Sequence, residues 1–322
     1  MKILSVVNMN EVSGGSNQAF LLAKHMDMAF MHYVPIPGKG IIKGENVYYA
    51  TDSILDVIKE TEPDILLVHS VSVEMMQEIE KIRELTRVVY VAHFNFFELQ
   101  ITEAYRPFIN PLISFMKHVD IIICLSEKQK ELLSLLTNTR IRVIPVAIEY
   151  GKYKNMECHA PSNTFIMATR FFPIKNNLVP IMAMKEVSKK YPDSFLMLCG
   201  NPGIMLSDTE AYINTLGLEG HVAYMGHKSH DLLIGEIATS KALISSSFNE
   251  NCSISVLEAK ALGVPVIEED PYSPKAFADA MIALLYDDEG FKNDAEDDRV
   301  DMEKYDISNI VTEYKKVFKE VL

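Results

Sequence analysis

The stretch "SSSFNENCSISVLEAKALGVPVI", residues 245–267, decides how the chain is read. A polar loop carries Glu250, runs into an apolar-periodic segment carrying Glu258, and stops at Gly263 and Pro265. The periodic segment reads as a helix that starts near Ser253 and ends at Leu262, with Gly263 as the left-handed residue after it. "KALISSS" (241–247) before it and "VPVIE" (264–268) after it read as strands. Strand, loop, helix and strand in that order form the repeating unit of a parallel sheet. The free N–H groups around Cys252 to Ser255 attract an anion, phosphate in particular. Glu258, about one and a half turns into the helix, is badly placed for phosphate. It is well placed to accept hydrogen bonds from the hydroxyls of a ligand whose phosphate lies nearby. The competing reading makes Glu258 a cap through Ser255 and leaves Glu250 solvated.

The same alternation runs outward in both directions. One series of strand-like runs is "KILSVV" (2–7), "DILLVHS" (64–70), "RVVYVAHF" (87–94), "DIIICLS" (120–126) and "RIRVIPV" (140–146). The second is "TFIMAT" (164–169), "SFLMLCG" (194–200), "HVAYMG" (221–226) and the two strands already quoted. Helical patterns such as "SEKQKELLSLL" (126–136) and "NNLVPIMAMKEVSKKY" (176–191) fill the gaps, the first opening on a Ser126/Gln129 capping box. The polar, aperiodic stretch 149–163 separates the series and reads as a linker. The expected architecture is α/β, two Rossmann-like doubly wound halves with a ligand cleft at the carboxyl ends of their strands. The boundaries fall at 1–148 and 149–306, and an amphipathic helix over 307–322 packs back onto the first half.

Composition narrows the function classes. The 322 residues carry 31 basic and 44 acidic side chains, a net charge of -13. Residues 1–150 hold 14 basic and 18 acidic residues and the remainder 17 and 26, so neither half offers a basic stripe for nucleic acid. Much of the acid sits in 286–305, which reads as a solvated surface stretch. No apolar run reaches the length of a membrane helix, and "MKILSVVNMNE" reads as a first strand rather than a signal peptide. Cys124, Cys158, Cys199 and Cys252 show no metal-ligand spacing, and Cys124 and Cys199 read as buried thiols. These features point to a cytoplasmic protein.

Cations also gather at strand ends. "ATRFFPIKN" (168–176) places Arg170 and Lys175 on a loop after the first strand of the second half, where two cations could neutralise a diphosphate. "CGNPG" (199–203) and "YMGH" (224–227) end the next two strands, and Glu250 and Glu258 follow the fourth. This order of features resembles the retaining glycosyltransferases of family four, which have the GT-B fold: two Rossmann-like doubly wound domains facing each other across a cleft. The match is specific over residues 164–270 and weaker over 1–148, where "EVSGGSNQAFLLAKHM" resembles a glycine-rich loop with its helix and "YVAHF" places His93 after a strand. The resemblance implies that Arg170 and Lys175 bind the donor diphosphate, Glu258 the nucleotide ribose and Glu250 the donor sugar. It places the backbone of Asn251, Cys252 and Ser253 on the sugar or phosphate, and that of Gly226 and His227 at the base. Asn201 belongs to the glycine turn, and His93 to the sugar or acceptor. Gly14 and Gly15 would let a loop approach the donor phosphate closely.

The implied activity is retaining transfer of a hexose-type sugar from a nucleoside-diphosphate sugar, a UDP-sugar favoured and a GDP-sugar next, to a hydroxyl acceptor. That acceptor is a glycan, a lipid-linked group or a small-molecule glycoside. No D-x-D motif is present, so neither a metal nor a prosthetic group is implied. A non-catalytic GT-B partner and a nucleotide-sugar epimerase are the alternatives; the complete set of Arg170, Lys175, Glu250 and Glu258 disfavours the first. "SGGSNQA" lacks the G-x-G-x-x-G spacing of a dinucleotide oxidoreductase. Two features depart from the family. Val146 and Ala147 stand where it has Asn-Gly, and the chain is short for it, which implies trimmed loops in the first half. Phe94, Phe96 and Phe97 suit core packing better than ring stacking on a sugar. With only Arg106, Lys117 and His118 as nearby bases, membrane contact is at most peripheral, at the inner face. No oligomeric state is implied.

Overall fold

In a computed structural model, residues 1–7, 14–35, 47–49, 53–156, 163–286 and 301–322 are described. The acidic stretch 287–300, residues 157–162 with Cys158, and residues 8–13 before Gly14 lie outside them. Two units result: Met1–Ala147 with Tyr305–Leu322, and Ile148–Lys304.

The first unit is built on seven strands: β1 (Lys2–Val6), β2 (Ala29–Val34), β3 (Val47–Tyr49), β4 (Ile65–Val68), β5 (Arg87–Val91), β6 (Ile121–Cys124) and β7 (Arg140–Val143). They lie in the order β3-β2-β1-β4-β5-β6-β7, every neighbouring pair parallel. The strands β4 and β6 are buried at every position, which is why they read as unbroken apolar runs rather than as alternations. β2 and β3 escaped the sequence reading. "AFMHYV" carries His32 in its middle, and "VYY" is three residues long. The helix Gly14–His25 packs against the terminal helix Ile307–Val321, which Asp306 caps at Ser308. Arg142 on β7 also pairs with Glu320 of that helix at 2.8 Å.

Gln18, buried in the helix Gly14–His25, grips the backbone of Ala147 from both sides. Its Oε1 accepts from the Ala147 N–H at 2.7 Å and its Nε2 donates to the Ala147 carbonyl at 2.9 Å. The departure from Asn-Gly at Val146–Ala147 therefore sits in an ordered, buried segment. At the helix Glu127–Ser134, Ser126 accepts from the Gln129 N–H. The return arm of that capping box reaches the Leu125 N–H instead of the cap's own.

The second unit has β8 (Thr164–Ala168), β9 (Phe195–Cys199), β10 (Val222–Tyr224), β11 (Ala242–Ser245) and β12 (Val266–Glu268), all parallel in the order β10-β9-β8-β11-β12. The order reverses between β8 and β11, so the loops that leave their carboxyl ends are neighbours. Such a switch point is where doubly wound sheets hold ligands. The linker reading of 149–163 is corrected at its start. Tyr150–Tyr153 forms a helical turn that buries Tyr153 within this unit.

Candidate functional site

Within the second unit, the switch point joins the residues of the β8 and β11 loops. The chain leaves β8 through Thr169 and Arg170, makes a 3-10 turn over Pro173–Lys175, and passes through Asn176 at φ 50° before the helix Leu178–Lys190. The loop after β11 is stitched to it. Ser246 Oγ donates to the carbonyls of Lys175 and Asn176, Phe248 N–H donates to Ile174, and the Asn176 amide donates to Ser246 and Pro271. Lys175 Nζ thereby meets the Glu250 carboxylate, which also accepts from Ser247 Oγ at 2.7 Å. Glu250 is thus half-buried and paired, not solvated. Arg170 is exposed, its guanidinium 5.1 Å from the centre of the Phe172 ring.

The helix Ile254–Leu262 starts directly after this loop and ends at Gly263 with φ 74°. Ser253 at its start makes no side-chain capping bond, and Ser255 Oγ donates instead to the Ala168 carbonyl at the end of β8. The capping role for Glu258 is therefore not what the structure shows. Glu258 is only 4% exposed and accepts from His230 Nε2 at 2.6 Å. Burial first, and then the negative charge of Glu258, push the Tyr153 hydroxyl pKa up, and the Tyr153 ring meets the His230 ring edge-on. His230 opens the helix His230–Ala238, and the next residue, Asp231, pairs with Lys152 at 2.8 Å. The hydrogen bond to Glu258, with the negative charge of that carboxylate, raises the His230 pKa above the ordinary value against the opposing effect of burial.

Two glycines fix the loops after β8 and β9 against each other. Gly200 has φ 148°, and a Cβ there would lie 1.6 Å from the Thr169 carbonyl oxygen. A Cβ at Gly203 would lie 2.2 Å from the Phe171 carbonyl oxygen. Asn201 between them is exposed, as is His227. Gly200 N–H donates to the Gly226 carbonyl at 3.1 Å, which ties the β9 and β10 loops together. Asn251 and Cys252 sit half-buried between Glu250 and the helix start. Burial pushes the thiols of Cys124 and Cys199 up to about 11.

In the first unit, His93 lies just past β5, and Gly14 and Gly15 open the helix after β1 instead of ending a loop. A Cβ added at Gly15 would touch the His93 ring at 3.5 Å, an ordinary contact. Protein packing alone therefore does not require glycine at 15. His93 Nε2 is 2.8 Å from Nδ1 of His69, which follows β4, and the two rings stack with centres 5.1 Å apart. Phe94 stacks on Tyr90 as a core residue does, whereas Phe97 is exposed. His69, His230, Tyr153 and Gln18 were absent from the sequence reading. Each meets its partner across 24 or more residues of chain, and no short-range pattern carries such a pairing. Among the described residues no group of three or more His, Cys, Asp or Glu side chains gathers as a metal site, and no helix is long and apolar enough to cross a membrane.

Two doubly wound units of this topology define a GT-B fold, and the charged switch point lies in the half that matches a known family. Residues 149–279 match the family described as "Glycosyl transferases group 1". Over 245 residues the chain is 26% identical to an uncharacterized glycosyltransferase of Methanocaldococcus jannaschii, covering 68% of this chain and 59% of that one. It is 27% identical over 188 residues to the alpha-monoglucosyldiacylglycerol synthase of Streptococcus pneumoniae, covering 53% and 42%. The chain thus spans about half the length of these curated relatives. Among solved structures, Anabaena HepE in complex with UDP and glucose superposes with a TM-score of 0.81 at 15% identity, over 99% of both chains. The chain has the GT-B fold and resembles the glycosyltransferases of family four.

Proposed function

We propose that the protein is a retaining glycosyltransferase that moves a hexose-type sugar from a nucleoside-diphosphate sugar to a hydroxyl acceptor. The observation that carries this reading is the switch point of the second unit. It combines a cationic loop, an uncapped helix start and a buried carboxylate within a few residues of one another, inside the matched region 149–279. In this reading Arg170, Lys175 and the N–H groups of Asn251, Cys252 and Ser253 hold the diphosphate and meet its charge as it leaves. Glu258 takes the ribose hydroxyls, and Glu250 takes hydroxyls of the sugar. The backbone of Gly226 and His227 borders the base, and Asn201 in the glycine turn is a further donor-binding residue. Gly14, Gly15 and His93 are the first unit's contribution.

The bond between the anomeric carbon and the diphosphate oxygen breaks, and a bond from that carbon to the acceptor oxygen forms on the same face. The acceptor's proton passes to the departing phosphate. No metal is needed in this scheme, because fixed cations and helix dipoles supply the positive charge. A UDP-sugar is favoured and a GDP-sugar comes next. The acceptor is a glycan, a lipid-linked group or a small-molecule glycoside, in a cytoplasmic setting.

Thermal stabilisation by nucleotides tests the donor site, because a ligand of the folded state raises the melting temperature by mass action. UDP or GDP at millimolar concentration is expected to stabilise wild type and to leave Glu258→Ala unshifted. Equal shifts in both proteins would remove Glu258 from the site. No shift with UDP, GDP, ADP, TDP or CMP would overturn the donor reading altogether.

A further inference from the structure

We infer that His69 is a positioning residue that fixes the proton of His93 on Nδ1 and presents that ring as a neutral hydrogen-bond donor. The inference rests on the reading above only in taking His93 to face the sugar or acceptor. The sheet brings the pair together. β4 and β5 are adjacent and parallel, with Val68 beside Tyr90, so His69 and His93 leave the same edge one and three residues later. The main chain of each is held: His69 N–H donates to Val6 at 2.9 Å and His93 N–H to Val91 at 3.0 Å. Between the rings, His69 Nδ1 and His93 Nε2 stand 2.8 Å apart. One proton fits between them, and it belongs to one ring or the other.

Charge does not decide which. Burial drives both rings toward the neutral form, His93 down to about 4 and His69 well below the ordinary value, with His93 and His32 lowering His69 further. A neutral imidazole carries one N–H, so the two nitrogens of each ring have opposite roles. The remaining nitrogen of His69 settles the matter. Its Nε2 is buried and has no hydrogen-bond partner among the described residues. If His69 carried its proton there, the structure would bury an orphaned N–H, the rarer and more costly arrangement. If His69 carries the proton on Nδ1, only a lone pair is left without a partner. His69 Nδ1–H then donates to His93 Nε2, and His93 must hold its own proton on Nδ1.

This assignment limits what His93 can do. The His93 lone pair is occupied by His69, so the ring is not a general base. It is not a cation near neutral pH either, because burial depresses its pKa. It is a directed N–H donor, wedged between the His69 ring and the backbone at Gly15 and suited to a hydroxyl or phosphate oxygen.

The test has a readout that needs no turnover. In protein labelled with 15N in histidine, long-range proton–nitrogen spectra at pH 7.5 should show His93 protonated on Nδ1 and bare on Nε2. His69→Leu should allow the Nε2 proton to return. His69→Asn places an amide N–H near the lost Nδ1 and should keep the wild-type pattern, whereas His69→Gln should not. If sugar transfer is measurable, kcat should fall about tenfold in His69→Leu, the loss of one hydrogen bond. It should recover to within about threefold in His69→Asn, with the donor KM little changed. An Nε2–H tautomer of His93 in the wild-type protein overturns the proposal. So does a Leu variant with the wild-type spectrum and kcat. Absent transfer activity with the expected spectrum would count against the enzyme reading and leave the tautomer assignment standing.

Discussion

The two units hold histidines in opposite electrical surroundings. In the first, His69 and His93 face each other, and His32 sits buried on β2. No carboxylate is paired with any of the three among the described residues. In the second, His230 sits on a buried glutamate, and Lys152, Asp231 and Tyr153 surround it. Burial without a counter-charge disfavours the charged imidazole, and a carboxylate partner favours it. One residue type is thus pushed toward its neutral form in the first unit and toward its charged form in the second. The difference teaches that the partner, not the residue type, decides which way a half-buried or buried imidazole is shifted.

The largest effect should come from removing a cation of the proposed donor site. Lys175→Ala is expected to lower turnover by about 10³-fold, the scale for losing a preorganised electrostatic stabiliser. The melting temperature should stay within a few degrees, since Glu250 keeps its bond from Ser247. Steady-state transfer assays with a thermal melt check both halves of this. Turnover within tenfold of wild type would mean that the pair in the second unit is structural.

Acid sensitivity sharpens the contrast. His32 is held down to about 4 by burial, so the unfolded chain binds a proton that the folded unit refuses. Stability should therefore fall as pH drops from about 6.5 toward 4, by up to ~3 kcal/mol from this residue. His32→Leu should remove its share of that slope in denaturant melts at a series of pH values, while His69 and His93 keep theirs. An unchanged slope would mean that His32 is solvated or paired in solution.

The smallest effect belongs to His230 and has the opposite sign. Its folded pKa is raised, mainly by the hydrogen bond to Glu258. The contact's contribution is complete below the unfolded value of about 6.5 and is lost as pH rises through the raised folded value. The wild type should lose a small increment of stability across that window, and His230→Asn should not. The ring is 41% exposed, so solvent screening keeps the increment small. A steeper alkaline loss in the variant would break the comparison.

The sequence reveals these features unevenly, and the reason is physical. Ten strands are legible because a parallel sheet covered on both faces demands apolar runs, and β2 and β3 are hidden by an interior histidine and by brevity. Arg170, Lys175, Glu250 and Glu258 are legible as types in an order. Their pairing is not. Lys175 meets Glu250 only because the sheet order reverses between β8 and β11. The partner of Glu258 could not be read at all, since an acid near a helix start looks alike whether it caps, solvates or is buried under a histidine.

The chain leaves the first unit after Ala147 and re-enters it at Tyr305, which makes the second unit a single uninterrupted insert. The returning helix is secured by its packing on Gly14–His25 and by the Arg142–Glu320 pair, all within the host. Residues 148–304 therefore form a cassette with two junctions. Genetic exchange of that cassette would replace the half that carries the Lys175–Glu250 and His230–Glu258 pairs in one event, while the first unit's sheet, its histidine pair and its closing helix pass unaltered to the descendant.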